Sequence, residues 1–195
     1  MLTYTPFYIN IWSNKKFKLL PNSDCRILFI YLIANHSLTM TGIYNIDIDD
    51  CRLKTRLGEK FDECFNEVTG GKYHISYDIA EEMIFIKSRF ERIPSRNSPK
   101  VITGVIGELN DITHPFKDEF LKIYQAELKP YLWRVNGYKL TSDELQSDDF
   151  IYNASKLYNN RRSLKEFLMN KGVGEERIDQ TINRILPNWN TDARR

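Results

Sequence analysis

The chain has little excess charge of either sign and no long apolar run. Its 195 residues carry 28 lysines and arginines against 26 acids, a net charge of +2. So small an excess does not establish nucleic-acid binding, which a local basic patch would have to support. No apolar run approaches the roughly eighteen residues of a membrane span, and no basic-then-apolar leader begins the sequence. We therefore expect neither membrane insertion nor secretion.

The chain also has only three cysteines, Cys25, Cys51 and Cys64. They lack the paired spacing of zinc ligands, and an odd number leaves one unpaired in any disulfide scheme. Two of them fall on apolar helix faces, where free cysteines serve as small buried hydrophobes. This usage predicts a cytoplasmic protein kept in a reducing environment.

Signatures of catalysis are missing as well. No Gly-x-x-x-x-Gly-Lys-Ser/Thr loop is present to hold nucleotide phosphates. The histidines His36, His74 and His114 are scattered and belong to no HExxH-type ligand set. Asp47 and its two acidic neighbours lack the glycine and distal glutamate of a calcium loop, and helix capping explains them. We therefore expect a non-enzymatic protein that uses no cofactor and no metal.

What the sequence does contain is the element order of a winged helix-turn-helix. Hydrophobic residues make up 42% of the chain and aromatic residues 13%, enough for a folded core. The segment Asn22–His36 is apolar almost all round, which predicts a central core helix capped by Asn22 or Ser23. The next patterns predict a strand at Gly42–Ile46, helices at Asp50–Thr55 and Lys60–Thr69, and a two-stranded wing within Lys72–Phe90. The expected fold class is mainly α with a small β wing (α+β).

Composition and helical patterning divide the chain into three parts. We expect a winged-helix domain with an N-terminal arm over residues 1–97, a helical extension over 98–128, and a helical C-terminal module over 129–195. In that module the pattern predicts helices at Ser163–Lys171 and Glu175–Leu186. Ser163 and Glu166 have the spacing of a capping box for the first of them.

The candidate recognition helix, Lys60–Thr69, is itself acidic. Acidic side chains are repelled by the phosphates of DNA, so we expect basic residues beside this helix to make the phosphate contacts. The candidate DNA-binding residues are Arg52, Lys54, Arg56, Lys60, Lys72, Lys87 and Arg89. Further basic residues are Lys15, Lys16 and Lys18 in the arm, His74 after the candidate recognition helix, and Arg92, Arg96 and Lys100 after the wing. Residues 1–97 carry 13 lysines and arginines against 12 acids, so a mixed-charge surface for protein contacts is the alternative.

Several segments together resemble a known family. Trp12, the stretch Leu19–Asp24 before the apolar helix, and Gly42-Ile43-Tyr44 are followed by Ile84–Phe90 and Asn97–Val105. In this order they resemble the N-terminal winged-helix domain of phage and prophage replication proteins related to the DnaD primosome group. The similarity covers about residues 1–127. The second domain of that family usually carries a tyrosine–isoleucine–tryptophan signature, of which only Ile185 and Trp189 are found in this chain.

The resemblance implies DNA binding during replication initiation, with recruitment of a replicative helicase or its loader. The first hypothesis is therefore a non-enzymatic protein of phage or mobile-element replication that binds double-stranded DNA. The second is a protein-interaction module or inhibitor that docks a host protein through the winged helix. The third is a transcriptional regulator, which would bind one short site as a dimer. The sequence leaves the oligomeric state open, a homo-oligomer included.

Overall fold

The structure is a computed structural model that describes residues 9–187. The chain divides into two compact units, Met1–Ile123 and Tyr124–Arg195. Helices dominate, and a small antiparallel sheet of three strands completes the fold. The expectation of a mainly helical α+β protein is thus confirmed.

The first unit holds six α-helices and three strands within its described residues. The helices are α1 (Lys15–Lys18), α2 (Ser23–Ala34), α3 (Ile48–Thr55), α4 (Phe61–Thr69), α5 (Pro99–Asp111) and α6 (Phe116–Ile123). The strands are β1 (Ile43–Asn45), β2 (Ile75–Asp78) and β3 (Met83–Ile86). Short 3-10 turns occupy Ile9–Ser13, Gly58–Lys60 and Phe90–Arg92.

Helix α2 is the central core helix that the apolar pattern predicts. The Asn22 side chain caps it by accepting the backbone N–H of Cys25 at 2.8 Å, which satisfies a donor that the helix leaves unpaired. Leu28 and Leu32 are fully buried. Packing of this apolar helix therefore anchors the unit around it.

Helices α3 and α4 follow the predicted order. Asp47 caps α3 by accepting the Asp50 N–H at 2.9 Å. Helix capping, the role predicted for this group of acidic residues, is therefore confirmed for Asp47. Helix α3 ends at Arg56, whose φ of 54° is left-handed and reverses the chain. Helix α4 begins at Phe61 and buries that ring on the core side.

The sheet contains the predicted two-stranded hairpin and adds a third strand to it. Strands β2 and β3 form the expected hairpin, with Ile75 opposite Ile86 and Asp78 opposite Met83. Strand β1 adds to the other side of β3, with Ile43 opposite Phe85, so the strand order is β1-β3-β2. A pair of four-residue strands is marginal alone, and the third strand gives it further backbone hydrogen bonds.

Helix α5 packs onto the loop before β1, and helix α6 packs onto the sheet. The Glu108 carboxylate of α5 accepts the backbone N–H groups of Met40 and Thr41 at 2.9 and 2.8 Å. Phe120 of α6 is fully buried, with its ring centroid 6.3 Å from that of Phe85 in β3. These contacts tie the segment after residue 97 to the loop before β1 and to the sheet.

The second unit is helical throughout its described residues. Its helices are α7 (Gln125–Leu128), α8 (Ser142–Gln146), α9 (Asp148–Leu157), α10 (Arg161–Asn170) and α11 (Glu175–Ile185), with a 3-10 turn at Lys129–Arg134. Trp133, Phe150 and Leu164 lie in its buried core. The capping prediction for Ser163 is wrong, because α10 begins two residues earlier and Asn160 caps it at 2.8 Å.

No helix between residues 9 and 187 is both long enough and apolar enough to cross a membrane.

Candidate nucleic-acid interface

The exposed face of α4, the candidate recognition helix, is acidic. Its buried face consists of Phe61, Cys64, Phe65, Val68 and Thr69, so the remaining side chains point outward. Asp62 and Glu63 are among those exposed side chains. A helix with this face would bring carboxylates toward the phosphates of a duplex, which opposes close approach.

Both candidate cations of α3 form ion pairs with acidic side chains. Both terminal nitrogens of Arg52 donate to the Asp62 carboxylate, at 2.8 and 3.2 Å. The Arg52 guanidinium also lies 4.4 Å from the centre of the Phe61 ring. Lys54 pairs with Asp50 at 2.7 Å. The hydrogen bond from Arg52 lowers the pKa of Asp62, and that from Lys54 lowers the pKa of Asp50. These cations mainly neutralise carboxylates on the surface of the unit.

Lys60 and Lys72, at the two ends of α4, are paired in the same way. Lys60 contacts Asp24 at 3.0 Å, and Lys72 contacts Glu67 at 3.1 Å. Both pairs are exposed to solvent, where a competing phosphate could displace the carboxylate. In the structure, however, neither lysine presents an uncompensated charge.

The remaining three candidates have different surroundings. Lys87 is half-buried and pairs with Glu119 of α6 at 2.5 Å. Arg89 donates its Nε–H to the Thr39 carbonyl at 3.4 Å and packs its side chain against Gly42, which makes it a part of the fold. Arg56 is exposed and has no ion pair within residues 9–187.

A group of cations gathers instead at the base of the β2–β3 hairpin. It comprises Lys16 of α1, His74 just before β2, Lys87 just after β3, and Arg92 in the following 3-10 turn, and we term it the hairpin-base cluster. The Lys87 N–H donates to the His74 carbonyl at 2.9 Å, which joins the two sides of the hairpin. The Tyr73 hydroxyl lies 3.3 Å from the Leu19 carbonyl oxygen, which brings the end of α1 to the same place.

The pKa values of His74 and Lys16 are both lowered, first by partial desolvation and then by neighbouring cations. Partial desolvation lowers the pKa of His74, and the charges of Lys16, Lys87 and Arg92 lower it further, against an opposing effect of Glu91. Desolvation and the charge of Arg92 likewise lower the pKa of Lys16. Like charges raise each other's free energy in this way when they are held close together. Glu91 opposes both of these shifts and Glu119 pairs with Lys87, so the cluster retains a smaller positive charge, which an anion would stabilise.

The sequence placed only Lys87 of this cluster among the candidate site residues. Lys16 and Arg92 are 76 positions apart along the chain, so no local pattern joins them. The signal in the sequence was the basic step around Lys16 and the run of basic residues after the wing. Only the packing of α1 beside the hairpin brings the two together.

The described residues offer little for other chemistry. Between residues 9 and 187, no three His, Cys, Asp or Glu side chains converge as metal ligands would. A cleft in the second unit is lined by Trp133, Phe150, Glu144 and Ser147 among others. The Glu144 carboxylate accepts from the Thr141 backbone at 2.8 Å, and Ser147 caps α9, so both polar groups already serve the fold.

Comparisons with known proteins add no relative. A scan against protein-family models gives no match, and neither the curated proteins nor the solved structures contain a significant match to this chain.

Proposed function

We propose that the chain is a non-enzymatic DNA-binding protein whose first unit is a winged helix-turn-helix. In this proposal the phosphate backbone contacts the hairpin-base cluster of Lys16, His74, Lys87 and Arg92, with double-stranded DNA as the ligand. Helix α4 contributes shape more than charge. The biological setting, by the resemblance described above, is initiation of DNA replication in a phage or mobile element.

The observation that carries the proposal is the convergence of cations from three chain segments at the base of one hairpin. Such groups repel one another, and the free energy of that repulsion is released when phosphates enter. The order α2, β1, α3, α4 and then a hairpin also supports a winged-helix assignment. The second unit, a separate helical core, is the candidate module for a helicase or its loader.

Two double variants with the same change in net charge test whether DNA binds at the hairpin-base cluster. Lys16→Ala/Arg92→Ala removes two cations from the cluster. Lys139→Ala/Lys165→Ala removes two exposed lysines from the second unit, with the same change in net charge. Binding to fluorescent random duplex and to single-stranded DNA is followed by anisotropy at several salt concentrations. We expect the cluster variant to bind at least about tenfold more weakly, with a salt slope lower by about 1 to 2, and the control to bind like the wild type.

Two outcomes would contradict the proposal. Equal loss in both double variants would mean that net charge alone drives binding and that the cluster is not the site. Absence of any anisotropy change with micromolar wild-type protein at low salt would exclude nucleic acid as the partner. Tighter binding of the single strand would keep the cluster but change the ligand.

A second candidate function is docking of a basic protein surface on α4. Neither Glu63 nor Glu59 in the preceding turn forms an ion pair within residues 9–187, and both are exposed. Acidic charge therefore remains uncompensated at the start of α4. Glu59→Lys/Glu63→Lys should abolish capture of such a partner from the natural host while leaving the anisotropy titration with DNA at least as strong. Unchanged capture by this variant would exclude α4 as the docking face.

A further inference from the structure

Two of the three cysteines meet in the core of the first unit. Cys25 lies in the first turn of α2 and Cys64 in the middle of α4, and their sulfurs are 2.9 Å apart. Each side chain is only 2% exposed. Both thiols are free. Cys51, in α3, is also buried but has no sulfur neighbour within the described residues.

We propose that Cys25 and Cys64 form an oxidisable thiol pair, a site of reversible disulfide formation that links α2 to α4. A disulfide has an S–S length of about 2.05 Å, so the sulfurs need to approach by roughly 0.9 Å once the two thiol protons are gone. Helices α2 and α4 already pack directly on each other, and a shift of this size lies within the reach of side-chain rotation.

The chemistry balances with a small disulfide such as oxidised glutathione as the oxidant. The thiolate of one cysteine attacks the glutathione disulfide, forms a mixed disulfide and releases one glutathione. The second cysteine, having lost its proton to solvent, then attacks the protein sulfur of that mixed disulfide and releases the other glutathione. The two protein thiols are oxidised by two electrons in total, and one glutathione disulfide is reduced to two thiols.

The surroundings of the pair make this reaction slow but specific. Burial raises the pKa of Cys25 to about 12, and the hydrogen bond with Cys64 and the nearby Glu67 and Glu63 raise it too. Little Cys25 thiolate is therefore present at neutral pH, which limits the rate of attack by this residue. The two sulfurs face each other at 2.9 Å, which favours a link between Cys25 and Cys64.

A link at this place would constrain the first unit across a long stretch of chain. The two cysteines are 39 positions apart, and cross-links that close longer loops restrict the unfolded chain more. Oxidation should therefore raise the melting temperature of the protein, by roughly 5–15 °C if the link fits without strain. The oxidised form would hold α4, the helix with the acidic face, rigidly against α2.

The test uses the full chain in redox buffers of reduced and oxidised glutathione, both on native protein and during refolding from denaturant. Intact mass and peptide mapping follow the products. We expect a loss of about 2 Da, a Cys25–Cys64 linked peptide, and a higher melting temperature that returns to the reduced value with dithiothreitol. Cys51→Ala is the matched control and should still form the Cys25–Cys64 link, whereas Cys25→Ser and Cys64→Ser should each form no intramolecular link.

Three results would overturn the inference. The first is a chain that stays fully reduced in the most oxidising buffer both when native and after refolding. The second is a link that includes Cys51 in preference to either partner. The third is a mixed disulfide with glutathione as the stable end product. Refolding exposes all three thiols, so a negative result there cannot be due to restricted access.

Discussion

At the scale of single residues, Glu108 makes a contact that joins distant parts of the first unit. Its carboxylate oxygens accept two adjacent backbone N–H groups, from Met40 and Thr41, which lie 68 and 67 positions away. Thr41 is fully buried, so its N–H depends on this carboxylate for a hydrogen-bond partner. A buried donor left without a partner costs free energy close to its full desolvation penalty.

We therefore expect Glu108→Ala to lower the free energy of unfolding by about 1–3 kcal/mol. Urea denaturation followed by circular dichroism measures the change. Asp111→Ala, an exposed acid at the end of the same helix, is the control and should change stability by less than about 0.5 kcal/mol. Equal effects of the two variants would show that the carboxylate contact contributes nothing.

His74 gives the hairpin-base cluster a pH dependence. Its pKa is lower in the folded protein than the ordinary value of 6.5, because partial desolvation and the Lys16, Lys87 and Arg92 charges disfavour the imidazolium. The unfolded chain therefore binds the proton more readily than the folded one. The stability that this group contributes is complete above pH 6.5 and is lost as the pH falls through the lowered folded pKa.

The difference in melting temperature between wild type and His74→Asn isolates this effect. Asparagine tolerates the left-handed backbone of position 74, where φ is 62°, and does not titrate. We expect the melting temperature of the wild type to fall relative to that of the variant as the pH is lowered from 7.5 to 5. A constant difference over this range would mean that the pKa of His74 is not lowered in the folded protein.

At the scale of elements, Gly42 positions β1 against β3. Its φ is 78°, and a Cβ built there would lie 2.5 Å from the Ile86 carbonyl oxygen and 2.7 Å from Cβ of Arg89. The Gly42 carbonyl in turn accepts the Ile86 N–H at 2.8 Å. A side chain at this position would thus both strain the backbone and push the first strand away from the sheet.

Gly71 separates these two effects, because its φ of 86° is similar but nothing lies within 4 Å of a Cβ there. Gly71→Ala should cost about 1–2 kcal/mol from the left-handed conformation alone. We expect Gly42→Ala to cost about 1–3 kcal/mol more, from overpacking. Chemical denaturation of both variants gives the comparison, and equal costs would mean that β1 is not held in the close contact described.

The elements differ in how far local sequence determines them. Helix α2 was predictable because a capping Asn22 precedes an unbroken apolar segment. The helix α10 boundary was not, since Asn160 and Ser163 are both good caps and the choice between them depends on tertiary packing. The three-residue strand β1 was expected as a strand, but its pairing with β3 depends on contacts 40 residues away.

The site was less predictable than the fold for a physical reason. A list of lysines and arginines says which charges exist but not which acids neutralise them. Lys60 meets Asp24, 36 positions earlier, and Arg52 meets Asp62 on the next helix. These long-range pairs turn several apparent phosphate contacts into compensated surface groups, and they shift the candidate site toward the arm and the base of the hairpin.

At the scale of the whole molecule, the balance of charges limits how strongly salt can affect nucleic-acid binding. The net charge is +2, and most candidate cations around α3 and α4 are paired with acids. At pH 7.5 three members of the hairpin-base cluster are charged, because His74 with its lowered pKa is neutral. One of the three, Lys87, adds to phosphate binding only if a phosphate displaces Glu119. Each neutralised phosphate contributes about −0.9 to the slope of log K against log salt concentration for duplex DNA.

We therefore expect a slope of about −2 to −3 at pH 7.5, measured by anisotropy between low and moderate salt. A slope steeper than about −5 would mean that Arg52, Lys54, Lys60 and Lys72 exchange their carboxylates for phosphates, since the cluster alone has too few charges. In that case the surface around α3 and α4 is the interface after all. A slope near zero with measurable affinity would mean that binding does not proceed through phosphates, and both placements of the site would be wrong.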